Sequence, residues 1–291
     1  IQEQTCRLDA GHVRIDDPGR GPGHHVRPAG EEMKPGETYL RAGRMLGFAD
    51  LALLASQGRA EVPVHRRPKV AIISTGDEVH EPGDVLPPGH IWAGNAYGLI
   101  GLVRQVGAIP KNLGIAADTP EALRDIFASA EGADVVLSIG GVSVGDYDFV
   151  RQVLQEMGSI ETFWKVAMRP GKPNACGSLA GAPYFGLPGN PVSCLVSFLQ
   201  YVRPALLRLM GATELFLPTL EATLDETVRS KPGFLLLNRG LLRFEPATGR
   251  HHVRLTGAQG SGMVRSLAQA NCLVVLPEDV DEVEAGSTVR V

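Results

Sequence analysis

From Lys69 onward, apolar runs alternate with amphipathic stretches, and the alternation predicts strand, helix, strand, helix. Val70 to Ser74 and Asp134 to Ile139 are short apolar runs with β-branched members, which read as buried strands. Ile109 to Ile115 and Glu161 to Met168 read as two more. The spacing predicts helices over Asn95 to Val106, stopped by Gly107, and over Val150 to Met157. Thr119-Pro120-Glu121 is a helix start: threonine caps, proline fits the first turn and glutamate faces the dipole. That helix runs to about Ala130. A strand through Tyr184 leads into a longer helix, Val192 to Met210. The expected fold class is α/β, a three-layer domain with a parallel sheet and helices on both faces.

The flanks read differently. Residues 1–36 hold short runs, Cys6 to Leu8 and His12 to Ile15, around a turn-rich segment, the remnant of a β-rich N-terminal domain. Residues 37–67 are a helical and linker segment: leucines at 51, 53 and 54 predict a helix closed by Gly58, then an extended stretch to Pro68. The α/β domain is expected over 68–211. Residues 212–291 carry short runs, Leu220 to Leu224, Phe234 to Asn238, Leu241 to Phe244, His252 to Leu255, Cys272 to Leu276 and Ser287 to Val291. Glycines and prolines separate them, which predicts an all-β C-terminal domain.

Composition narrows the function. A net charge of −4 gives no basic field of the kind nucleic acid needs. No apolar run approaches the length of a membrane span, and no signal peptide is read. The four cysteines are scattered without a C-x-x-C pair, which favours a reduced, cytoplasmic protein over a disulfide framework or zinc site. The chain starts at Ile1 within polar sequence, and N-terminal residues are expected to be missing.

Ligands of a parallel sheet bind beyond the carboxyl ends of its strands. After Ile139 comes Gly140-Gly141-Val142-Ser143-Val144-Gly145-Asp146-Tyr147-Asp148. Glycines at that density let backbone N–H groups approach an anion, and the aspartates supply hard oxygens for Mg²⁺. Asp77, Glu78 and Asp118 also follow strands and belong to the same edge. Lys165 and the turn Arg169-Pro170-Gly171-Lys172-Pro173 suit phosphate or another oxyanion. Gly186-Leu187-Pro188-Gly189-Asn190-Pro191-Val192-Ser193 opens a helix, whose free N–H groups with Asn190 and the Ser193 hydroxyl form an anion seat.

Together, Ser74-Thr75-Gly76-Asp77-Glu78, the Gly140–Asp148 loop, Arg169–Pro173 and Gly186–Ser193 strongly resemble the MoeA family. Those proteins are molybdopterin molybdenumtransferases related to the E domain of gephyrin. The resemblance runs in order from about residue 25 to the C-terminus. It implies molybdenum insertion into adenylylated molybdopterin with release of AMP, the last step of molybdenum cofactor synthesis, with Mg²⁺ present. It implies catalytic roles for Asp118, Asp148, Lys165 and Lys172, and metal ligation by Glu78, Asp118 and Asp148. Gly140, Gly141, Ser143, Gly145, Arg169, Pro188, Asn190, Pro191, Ser193, Arg239 and Ser261 are the implied substrate-binding residues. It also implies a homodimer whose cleft draws on both subunits.

The chain departs from the family pattern in places. The Met-Asp-Gly-Tyr-Ala motif usual near the N-terminus is not present. Ala93 stands where an acidic residue is typical, Arg169 where lysine is commoner, and Phe234 where arginine is frequent. These changes bear on molybdate or nucleotide handling. They keep open a molybdopterin-binding or scaffold protein, like the gephyrin E domain, without full activity. A nucleotide pyrophosphatase on the same sheet is a third reading, opposed by Lys165, the basic turn and the C-terminal β module.

Overall fold

The computed structural model describes residues 5–15, 23, 26–141 and 149–291. The chain divides into two compact units, Ile1–Arg41 and Ala42–Val291. In the first, β1 (Thr5–Arg7) and β2 (Val13–Ile15) form an antiparallel hairpin. The second unit begins with the helix α1 (Phe48–Ser56), on which Phe48 and Leu51 are exposed and Asp50 is buried.

Next come β3 (Lys69–Thr75), β4 (Val79–His80), β5 (Ile91–Trp92), α2 (Gly94–Val106), β6 (Ile109–Ala116), α3 (Pro120–Ala128), β7 (Val135–Ile139), α4 (Phe149–Glu156) and β8 (Ile160–Lys165). They are followed by β9 (Met168–Arg169), β10 (Pro173–Leu179), β11 (Ala182–Leu187) and α5 (Pro191–Ser197). A π-helical turn (Phe198–Val202) then leads into α6 (Arg203–Leu209). Thr119 caps α3 as its sequence demands, its Oγ1 accepting from the Ala122 N–H. The expected long helix from Val192 is instead three pieces. Pro204, early in α6, has no N–H to donate backward, and the widened π turn absorbs the missing bond. The 19-residue span Pro191–Leu209 has the length and hydropathy of a membrane crossing, yet Phe198, Val202 and Leu206 in it are fully buried within the fold.

The main sheet has the order β6-β3-β7-β11-β10-β8. β6, β3, β7 and β11 are parallel, as the alternation predicts. The other half is not: β10 runs antiparallel to both β11 and β8. The sequence gives β10 little signal, because Cys176-Gly177-Ser178 interrupts the apolar pattern. One apolar layer joins α2, α5, the π turn and α6 to the sheet through Leu99, Val103, Cys194, Phe198 and Leu206, and a second lies under α3 and α4 around Leu123, Phe127 and Val153. All five residues of β7 are buried between them, each large apolar one worth about 1.5–3 kcal/mol.

The C-terminal part contains β12 (Glu221–Leu224), β13 (Val228–Arg229), β14 (Leu235–Glu245), β15 (Arg250–Leu255), the short helix α7 (Val264–Gln269), β16 (Cys272–Leu276), β17 (Glu282–Val283) and β18 (Thr288–Arg290). The two runs read separately at Phe234 and Leu241 are one continuous strand, β14, and α7 is a helix the pattern did not signal. The order β15-β12-β18-β16-β14, with β14 also pairing β15, closes the sheet on itself. Its sixth strand is β9, parallel to β14 with Met168 opposite Leu235 and Arg169 opposite Leu236. The expected strand Glu161–Met168 is therefore divided between two sheets. Met168, Val192, Val196 and Leu237 form an apolar cluster where those sheets meet.

Two polar anchors, Asp134 and Arg239, brace these sheets. Arg66 pairs with Asp134, whose carboxylate also accepts from the Lys69 N–H at 2.8 Å and is held at about 2 chiefly by the Arg66 hydrogen bond. A depressed carboxylate stabilises above its unfolded value near 3.8 and loses that contribution as pH falls through about 2. Arg66 is mostly solvent-exposed, so screening holds the effect to about 1 kcal/mol. Asp134→Asn is expected to lower stability by that amount at pH 7 and to flatten the loss between pH 4 and 2 in urea titrations. Arg239 is completely buried, and burial lowers its pKa. Its Nε donates to Ser266 Oγ at 3.0 Å and its Nη2 to the Gly260 carbonyl at 3.1 Å. Arg239→Ala is expected to cost about 2–5 kcal/mol, as for other large-to-small core changes, read from the urea midpoint.

Candidate active site

Strand direction decides which loops share an edge. Because β10 is antiparallel to both its neighbours, β8 points the same way as β3, β6, β7 and β11. The C-terminal ends of all five therefore lie on one edge, and the start of β10 joins them, with Pro173 opposite Lys165.

The acid end is built on β3 and β6. The Asp118 N–H donates to Asp77 Oδ1 at 3.0 Å, and the Gly76 N–H to the Ala116 carbonyl at 3.2 Å, which locks the two loops together. Glu78 is held by its backbone, its carbonyl accepting from the Ile91 N–H at 2.8 Å where β4 and β5 pair. The Asp118 carboxyl is raised above the ordinary range, first by burial and then by the neighbouring charges of Asp77 and Glu78. A group of carboxylates that resists ionising together favours a cation. Among the described residues, no three His, Cys, Asp or Glu side chains are arranged to hold a metal ion by themselves. Mg²⁺ needs only one or two carboxylates, with water and substrate phosphate completing its shell, so hard oxygens at Glu78 and Asp118 fit it. Ala93 is buried at the N-cap of α2, its N–H donating to the His80 carbonyl at 2.8 Å.

The glycine loops occupy the middle of the edge. Gly140 has φ +89°, and a side chain there would press on Thr75; Gly141 has φ +63° and lies against Val150. Both conformations and both contacts require glycine. The Gly140 N–H donates to the Leu187 carbonyl at 3.0 Å, coupling this loop to the one after β11. Ser143, Gly145, Asp146 and Asp148 lie outside the described residues. In the neighbouring loop Pro188 is buried, and the Gly189 carbonyl accepts from Asn95 Nδ2 at 2.7 Å.

At the start of α5 the donors are largely committed. Asn190 is the N-cap without a side-chain cap bond, Pro191 has no N–H, and the Val192 N–H donates to the Ser261 carbonyl at 2.9 Å. Ser193 is buried. Ser261 thus meets α5 through its backbone. Arg239 is positioned behind that loop rather than in front of it, since its guanidinium holds Gly260 and its backbone carbonyl accepts from Thr256 and Gln259.

The cation end is Lys165, Arg169 and Lys172, all exposed. Their turn is framed by backbone: the Val166 N–H donates to the Lys172 carbonyl at 3.0 Å, and the Leu235 N–H to the Ala167 carbonyl at 2.9 Å. Asn174 is buried and donates to the Gly171 carbonyl from below. Phe234, expected as the start of a strand and as a departure from the family pattern, lies against both Arg169 and Lys172.

The order of strands sets the spacing of these groups. β3 and β8 are separated by β7, β11 and β10, four steps of the sheet or roughly 20 Å at ordinary strand spacing. Carboxylates and cations are therefore at opposite ends of one edge, with glycine loops between. A single small ion cannot touch both ends; an extended anionic ligand can.

Comparison with known proteins identifies the family that carries this fold. Residues 71–208 match the family described as a probable molybdopterin binding domain, and residues 221–291 match the C-terminal region (domain IV) of MoeA. The molybdopterin molybdenumtransferase of Haemophilus influenzae is 36% identical over 293 aligned residues, covering 100% of this chain and 72% of that protein. Molybdopterin molybdenumtransferase 2 of Mycobacterium tuberculosis is 38% identical, covering 93% of this chain and 67% of the relative. A crystal structure of a molybdopterin biosynthesis MoeA protein from Pyrococcus horikosii superposes with a TM-score of 0.78 at 31% identity. It covers 99% of this chain and 70% of the other. The chain belongs to the MoeA family of molybdopterin molybdenumtransferases.

Proposed function

We infer that this chain inserts molybdenum into molybdopterin, taking an adenylylated molybdopterin and molybdate and releasing AMP. The observation that carries the reading is the polarity of the sheet edge: carboxylates at β3 and β6, glycine loops at β7 and β11, cations beyond β8. That order matches a ligand with a phosphoanhydride at one end and an oxyanion-accepting group at the other. The transferase names of the curated relatives support catalysis over a scaffold role.

In this reading the chain's own groups divide the work. Lys165, Arg169 and Lys172 attract molybdate, a dianionic substrate, and hold it by charge-assisted hydrogen bonds. Gly140 and Gly141, with Ser143 and Gly145, let the backbone lie against the pterin or its phosphate. Pro188, Asn190 and Pro191 with Ser193 shape the wall beside it, and Ser261, braced by Arg239, closes the loop from the C-terminal barrel. Glu78, Asp118 and Asp148 would hold Mg²⁺, which polarises a phosphoanhydride when bound. In this reading Asp118 and Asp148, like Lys165 and Lys172, carry the catalytic roles that the family resemblance implies.

We also read the protein as a cytoplasmic homodimer, folded as an α/β domain over 68–211 and a C-terminal β domain over 212–291. All four cysteines are free, which suits a reducing compartment. Phe48, Leu51 and Phe216 are large exposed apolar side chains of the kind a subunit contact covers.

AMP release from adenylylated molybdopterin tests the assignment. Release is expected to require both molybdate and Mg²⁺, and to fall by roughly tenfold or more in Asp118→Asn and Asp148→Asn. Release at the full rate without either ion would refute it.

A further inference from the structure

Arg169 and Lys172 share a support that charge alone does not explain. Arg169 Cζ lies 4.4 Å and Lys172 Nζ 5.6 Å from the ring centroid of Phe234, both inside cation–π range. Among the described residues neither cation pairs with a carboxylate. Two like charges on a four-residue turn repel, and each would ordinarily swing away into solvent. The ring opposes this, since its negative face attracts both.

The backbone makes the arrangement specific. Phe234 immediately precedes β14, and the next residue, Leu235, is paired with Met168 of β9. The barrel and the basic turn are therefore joined by main-chain bonds at the position where ring and cations meet. Phe234 is half-buried, and Arg169 and Lys172 against it are exposed. Two cations held against one ring suit a compact dianion, which takes one charge-assisted contact from each.

We propose that Phe234 is the positioning residue of the oxyanion seat: its ring holds Arg169 and Lys172 together so that molybdate meets a preformed pair. This rests on the reading of that turn as the molybdate end of the site. The aromatic residue supplies orientation where an arginine would supply a third charge.

Titration calorimetry with molybdate alone tests it, on the whole protein and on variants whose melting temperatures are matched to it. Phe234→Leu keeps an apolar side chain without the ring face and is expected to weaken molybdate binding about fivefold, from two exposed cation–π contacts. Phe234→Tyr keeps the ring and is expected to bind as the parent does; Phe234→Met serves if the leucine variant fails to fold. Unchanged affinity in Phe234→Leu, or an equal loss in Phe234→Tyr, would overturn the positioning role. The double variant Arg169→Ala with Lys172→Ala separates the two levels. If it still binds molybdate like the parent, the seat itself is misplaced; if it loses binding while Phe234→Leu does not, only the role of Phe234 fails.

Discussion

The direction of β10 is the constraint on which the site depends. One antiparallel strand beside the parallel half would leave the next turn on the far side of the sheet. Two successive reversals, β11 to β10 and β10 to β8, restore the original direction and return Lys165 to the edge that carries Asp118 and Gly140. The register is held where β10 bulges against β8 and where Gly177 lets the backbone at Ile160 approach without a side chain between them. From that edge the chain crosses to the second sheet within three residues, and β9 pairs with β14. The basic turn is thus bound at one end to the α/β sheet and at the other to the barrel.

That double attachment explains why the C-terminal barrel matters to a site built on another sheet. Three links cross to it: the β9–β14 ladder, the Val192 N–H to the Ser261 carbonyl, and the apolar cluster of Met168, Val196 and Leu237. Arg239 stiffens the second of these from inside, at the cost of burying a cation whose known partners are neutral oxygens. Such burial is expensive unless the guanidinium is hydrogen-bonded, which is why its bonds to Ser266 and Gly260 are structural.

Much of this was legible in the sequence, for physical reasons. The Thr119-Pro120 cap and the fully apolar β7 follow from local chemistry alone. The positive φ of Gly140 and Gly141 follows from glycine placed directly after a buried strand. Asp77, Glu78, Asp118 and Lys165 lie at strand ends as the alternation predicts, but their separation is not readable from sequence, because it depends on strand order. β10 escaped notice for want of periodicity, and β9 because two residues carry no pattern. Arg239 looked like a ligand-binding arginine; only its burial reveals a brace. Phe234 looked like a lost charge, and only the fold shows the two cations resting on it.

The separation of the two ends is tested most directly by a double-mutant cycle on binding of adenylylated molybdopterin loaded with molybdate, using Asp118→Asn and Lys172→Ala. Sites some 20 Å apart that grip different parts of one ligand should lose binding energy additively, within about 0.5 kcal/mol, and Asp118→Asn should leave the affinity for free molybdate untouched. A coupling energy well above that, or loss of molybdate binding in Asp118→Asn, would mean that carboxylates and cations surround the same ion.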